Sequence, residues 1–265
     1  MKTNLETSEK FNAVVDAVSY WLGYQFKIGR EQLIHEASLR YPIADALTAK
    51  GIGISRIVLE KLHPIFRSKI IDLVVFDKHI HNPEAEEDDI NLKEVFEFKL
   101  AKNETSKEYG EEHQRVFDDI ARLAYYHLWG SKDCYFLMCG KYGDFKTYFV
   151  GQKNNVELKG NKETFPLRQN KPASLFDEWK PDGLYNDWFS FNIGEEKEKE
   201  FNETDHDSWG LKSFQSRYDV RDNTNHKYSP TITVKTKCIA ITPEGLENKR
   251  THAAGIWKIE AVSTN

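Results

Sequence analysis

The chain is short of most of the features that would classify it at a glance. Its three cysteines, Cys134, Cys139 and Cys238, are odd in number and lack CxxC spacing, which argues against a disulfide framework and a four-thiolate zinc site and predicts buried thiols. No apolar run approaches the roughly eighteen residues of a membrane helix, and Met1 to Lys10 is polar where a secretory signal would be apolar. A cytoplasmic protein with no membrane partner is the expectation that follows. Neither the GxSxG elbow of serine hydrolases nor the GxxxxGK[ST] loop of nucleotide-binding proteins occurs. Positive charge is scarce too: 37 Lys and Arg face 42 Asp and Glu, a net charge of -5, so any nucleic-acid contact has to come from local patches.

What remains is an ordinary folding composition. Apolar residues make up 39% and charged residues 30%, which over 265 residues predicts one large core with decoration. Ser8 can cap a helix with Phe11, Val14, Val15, Val18 and Leu22 at helical spacing, ending near Gly23. Ile34, Ala37, Ser38 and Tyr41 predict a second helix over Arg30 to Arg40, interrupted at Pro42, with Ala44 to Lys50 continuing it after a bend. Strands are predicted from Ile54 to Leu59, Lys69 to Asp77 and Glu94 to Leu100, with an acidic solvated loop over His79 to Asn91. A long helix over Glu111 to Trp129 carries Val116, Ile120, Leu123, Ala124 and His127 down one face, and strands follow at Asp133 to Cys139 and Lys146 to Val150. This order predicts an α/β layer structure: a central mixed β-sheet flanked by helices. Beyond Gly151 the patterns weaken; Glu195 to Asp207 has the look of a charged linker or exposed helix, and Ser229 to Thr242 with Ala254 to Val262 that of an edge hairpin.

One constellation stands out. Asp72 is alone among apolar neighbours in Ile70-Ile71-Asp72-Leu73-Val74-Val75-Phe76, where an ionised carboxylate is costly unless paired or bound to a cation. On the next strand, alternation puts Val95, Glu97 and Lys99 on one face and Phe96, Phe98 and Leu100 on the other. If the strands are neighbours, Asp72 and Glu97 converge. A hard divalent ion accepts two such carboxylates, a backbone carbonyl such as that of Phe98, and waters. Mg2+ suits this set, with Mn2+ as a substitute. The ion would lower the pKa of a bound water while the Lys99 ammonium orients that water or offsets transition-state charge, which is what phosphodiester hydrolysis needs.

These residues resemble the PD-(D/E)xK nuclease superfamily, the restriction endonuclease-like fold, over roughly residues 8 to 150. Its core runs helix, three strands, helix, strand, with Asp on the second strand and (D/E)xK on the third, as Asp72 and Glu97-Phe98-Lys99 fall here; Ile71 stands where the literal motif has proline. The resemblance implies metal binding by Asp72 and Glu97 and a catalytic Lys99. With Arg30 to Arg40 as the first helix of that core and Glu111 to Trp129 as its second, it also implies a metal-ligating glutamate on the first, for which Glu36 is the candidate, and polar residues on the second, where Gln114, Asp118 and Arg122 lie at i, i+4 and i+8.

The resulting expectation is a nuclease core over residues 1–150 and a C-terminal extension over 151–265 packed on it, shaping access, contacting DNA or mediating self-association as a homodimer. DNA is the substrate the resemblance favours. The alternative from another class is a catalytically inactive protein of the same fold that binds nucleic acid or a partner. A buried ion-pair network would also satisfy Asp72, Glu97 and Lys99. His79 and His81 form an HxH pair that lacks a third metal ligand and reads as surface loop.

Overall fold

The stripe Phe11, Val14, Val15, Val18 and Leu22 is buried along helix α1 (Lys2–Lys27), which covers one face of the sheet in the computed structural model. The structure describes residues 2–63, 66, 69–79, 92–101, 109–130, 133–146, 196–202, 231–242 and 251–264. Phe11 packs its ring against Tyr135 and Phe96, at centroid distances of 4.6 and 6.4 Å. Burying one such side chain contributes about 1.5–3 kcal/mol. The helix runs through both expected ends, Ser8 and Gly23. Gly23 does not terminate it; a Cβ there would come within 3.3 Å of Thr251 Oγ1, so glycine lets the C-terminal strand approach.

The expected helix over Arg30 to Arg40 is instead two 3-10 turns, Glu31–Leu33 and Glu36–Leu39, leading directly into α2 (Arg40–Ala49). Pro42 does not interrupt α2, because it sits in the first turn, where backbone N–H groups have no helical acceptor in any case. Strands β1 (Ile57–Leu62), β2 (Ile70–Phe76) and β3 (Leu92–Ala101) follow, then α3 (Tyr109–Gly130), β4 (Asp133–Lys141) and a short α4 (Tyr142–Lys146). The strand expected from Lys146 is thus a helix end at Lys146, and residues 147–150 lie outside the described set.

Three strands come from the far part of the chain: β5 (Glu196–Asn202), β6 (Thr231–Ile241) and β7 (His252–Thr264). The charged segment at 196–202 is therefore a strand and not a linker. All seven form one mixed sheet in the order β1-β2-β3-β4-β7-β6-β5. β3 and β4 are parallel, joined through α3, and the other pairs are antiparallel. β7 is not an edge strand: it lies between β4 and β6.

Alternation sorts the core into two layers. Leu73, Val75, Phe96, Phe98, Leu100, Tyr135 and Leu137 meet α1 and α2; Val74, Val95, Phe136, Met138 and Trp257 meet Val116, Ile120, Leu123 and Ala124 of α3. The fold is an α/β sandwich with the sheet in the middle. All three cysteines are free and buried, and burial pushes each thiol well above its usual range. Among the described residues no helix is long and apolar enough to cross a membrane.

His252 carries a pH-dependent part of this packing. Its ring lies 4.4 Å from that of Phe26, its Nδ1 is 2.8 Å from Thr251 Oγ1, and its buried Nε2 has no hydrogen-bond partner among the described residues. Burial, helped by the charge of Lys141, lowers its pKa from 6.5 to about 4. The unfolded chain therefore binds more protons than the fold between those values, and stability falls as pH drops through the window. Replacing His252 by Gln should reduce the loss of melting temperature between pH 7 and 4.5, by roughly 2–4 °C per kcal/mol recovered. Calorimetry giving parallel pH profiles for both proteins would contradict this.

Candidate active site

The ladder between β2 and β3 runs from Phe76↔Leu92 to Leu73↔Phe96. Beyond it, Ile71 and Ile70 still pair with Lys61 and Leu62 of β1. At this parting the backbone N–H of Phe98 donates to Asp72 Oδ2 at 2.9 Å, a side chain standing in for the missing ladder bond. Asp72 Oδ1 accepts from Arg40, the first residue of α2, through Nε at 3.2 Å and Nη2 at 2.8 Å. Arg40 Nη1 also donates to Glu60 Oε1. The lone aspartate in an apolar strand is thus compensated by one guanidinium and one amide.

Glu97 and Lys99 share the face of β3 that looks toward α3, and both are buried. Glu97 Oε1 accepts from Arg122 Nε at 3.2 Å, while Arg122 Nη2 donates to Asp119 Oδ1 at 2.6 Å. Lys99 Nζ pairs with Glu36 Oε1 at 2.7 Å; the ammonium is 2% exposed and the carboxylate 42%. The fields of these groups overlap. Burial pushes the Glu97 carboxyl well above its ordinary range, Arg122 opposes this, and Asp72 and Asp119 add to it. Asp119 is raised to about 7, first by burial, against the pull of Arg122 and Lys99, with Glu36 and Asp72 pushing further upward.

A charge count follows from the ion pairs. Among the described residues Glu36, Glu60, Asp72, Glu97 and Asp119 form ion pairs with Arg40, Lys99 and Arg122, five carboxylates to three cations. Two carboxylates with waters match the habits of Mg2+, and Mn2+ can replace it. Among the described residues no three His, Cys, Asp or Glu side chains are grouped to hold one ion. Asp72 and Glu97, whose charges are close enough to interact, are the side chains that would hold such an ion.

The structure brings together Asp72, Glu97, Lys99, Glu36 and Arg122 of the residues expected from sequence. Glu36 stands with Lys99 and does not form a three-carboxylate group with Asp72 and Glu97. Phe98 packs its ring on the α1 side and contributes its N–H to Asp72. Asp118 is buried, but it is Asp119 that bonds Arg122. The side chain of Gln114 and all of His81 lie outside the described residues; His79 is exposed. Three participants escape a reading of sequence: Arg40, Glu60 and Asp119. Asp119 could have been found from its i, i+3 spacing to Arg122, whereas nothing local places Arg40 across from Asp72, 32 residues away.

A cavity of about 350 Å3 is lined by Leu100, Ala101 and Gly140 among others and by none of the residues of the charged cluster. The cluster is a site filled by its own ion pairs. Against family models, curated proteins and solved structures alike, the chain has no match.

Asp119 supplies a test of this electrostatic picture. Its proton leaves near pH 3.8 when unfolded and near 7 in the fold, so its contribution to stability is complete below pH 3.8 and is lost as pH rises to 7. Asp119→Asn removes that loss. Melting temperatures without divalent ions should show the variant gaining on the parent between pH 4 and 7, with the gap level above that; a gap independent of pH would show Asp119 to be ordinary.

Proposed function

We propose that this protein is a metal-dependent nuclease that hydrolyses phosphodiester bonds, with DNA as substrate and Mg2+ as the ion. One observation supports the reading: where β2 and β3 part, Asp72 and Glu97 are close enough for their charges to interact, in an ion-paired cluster that also includes Lys99, Arg40 and Arg122. The order α2, β1, β2, β3, α3, β4 agrees with the helix, three strands, helix, strand of a restriction endonuclease-like core and supports the resemblance.

Each residue then has a task. Asp72 is oriented by the Phe98 amide, and Glu97 is held by Arg122, so the two carboxylates are positioned before any ligand arrives. A divalent ion held by Asp72 and Glu97 would supply a more acidic water and offset charge on the scissile phosphate. Lys99, tied to half-exposed Glu36, places an ammonium where the attacking oxygen and the charge gathering on phosphorus can both be met. In-line attack by a water oxygen forms the new P–O bond as the bond to the leaving oxygen breaks; the water gives up one proton to solvent and the leaving oxygen takes one up.

A second reading has its own support. Arg40 and Arg122 already neutralise Asp72 and Glu97, and the chain carries a net charge of -5, as suits a non-catalytic binding module of the same fold. Nicking of supercoiled plasmid in Mg2+ decides between them. Asp72→Ala and Lys99→Ala should each lose at least about 100-fold of the parent rate, with unchanged circular dichroism. Undiminished cleavage by both variants would remove the nuclease assignment. A parent that neither cuts nor takes up Mg2+ or Mn2+ at millimolar concentration would favour the binding module.

A further inference from the structure

Arg40 holds two carboxylates at once. Its Nε and Nη2 both donate to Asp72 Oδ1, and its Nη1 donates to Glu60. A carboxylate offers about four lone-pair directions, and with the Phe98 amide on Oδ2 three of those of Asp72 are spoken for. An ion bound to Asp72 beside a fixed guanidinium would face both a filled oxygen and a like charge. The second anchor makes release simple. Glu60 lies between Leu59 and Lys61, whose partners are Leu73 and Ile71, so it sits across the strand pair from Asp72. Its side chain is 57% exposed against 14% for Asp72, and its backbone has φ 58°, a left-handed conformation unusual for glutamate. Arg122 differs: it makes one bond to Glu97 and is tied at 2.6 Å to Asp119, which is buried.

Resting on the nuclease reading of this site, we propose that Arg40 is a resident counter-cation that a divalent ion must displace from Asp72, the guanidinium withdrawing to Glu60. Arg40 is then a positioning residue. It keeps Asp72 ionised and oriented while the site holds no ion, and it sets a threshold of metal concentration for activity. Binding of the ion and the Arg40–Asp72 pair exclude each other, a negative coupling of the kind that commonly spans about 5–150-fold in affinity.

Calorimetric titration of the whole chain with MnCl2 tests this without reference to catalysis. Arg40→Gln should bind Mn2+ at least about tenfold more tightly than the parent. Arg40→Lys, which keeps the charge but loses the paired N–H groups, should fall between them, and Asp72→Asn should lose the site. In EDTA, Arg40→Gln should melt below the parent, and Mn2+ should raise its melting temperature by more. Equal or weaker binding by Arg40→Gln would overturn the proposal and make Arg40 an aid to ligation; should that variant not fold, Arg40→Lys decides by the same criterion. Binding by the parent without a gain in the variants defeats the Arg40 proposal alone. Absence of binding by every protein, with no plasmid cleavage, defeats the nuclease reading as well.

Discussion

Where β2 and β3 separate, a backbone amide would be left facing a strand that no longer presents an acceptor. Asp72 resolves this by giving the Phe98 N–H a carboxylate oxygen at 2.9 Å. Hydrogen bonds to charged groups are worth about 1.5–3 kcal/mol, and an orphaned buried amide costs a similar amount. The same bond fixes where the charge sits. With Asp72 pinned in the cleft, Arg40 reaches it from the α2 side while Arg122 reaches Glu97 from the α3 side. The site is built inward from both layers around a deliberate gap in the sheet.

That arrangement is a poor way to make a stable protein. Buried ion pairs seldom recover the desolvation of their charges, and here burial pushes two carboxylates, Glu97 and Asp119, toward protonation against the pull of Arg122. An apolar substitute of similar shape would serve the fold better. Stability comes instead from the two hydrophobic layers, in which Phe11, Phe96 and Tyr135 stack on one side and α3 packs on the other. Perturbed carboxylates concentrated at one opening of an otherwise well-packed sheet are what a functional site imposes on its scaffold.

The parts of this design that sequence reveals are those written in short-range periodicity. The face shared by Glu97 and Lys99 follows from alternation on β3, and the buried stripe of α3 follows from its 3.6-residue period. Features that depend on distant partners are not written that way. Arg40 and Asp119 join the site through tertiary geometry, and the helix end expected at Gly23 depended on not knowing that Thr251 lies against it. Glu196–Asn202 alternates charges almost without apolar residues, so it carries no sign of a buried face. It ends the sheet order of the described strands beyond β6, and charge is a common feature of strands at sheet edges.

The strands from the far part of the chain bear on the chemistry through their place in the sheet. Lys99 is paired with Met138 of β4, and Met138 is paired in turn with Gly255 of β7. Without β7, β4 would be an exposed edge with apolar side chains on both faces, a position that parallel strands rarely occupy. β7 fits closely enough that a Cβ at Gly255 would come within 2.7 Å of the Trp257 ring. The rigidity with which β3 presents Glu97 and Lys99 is therefore drawn from residues more than a hundred positions further along. The motif of Glu97 and Lys99 is thus braced by strands that no short stretch of sequence joins to it.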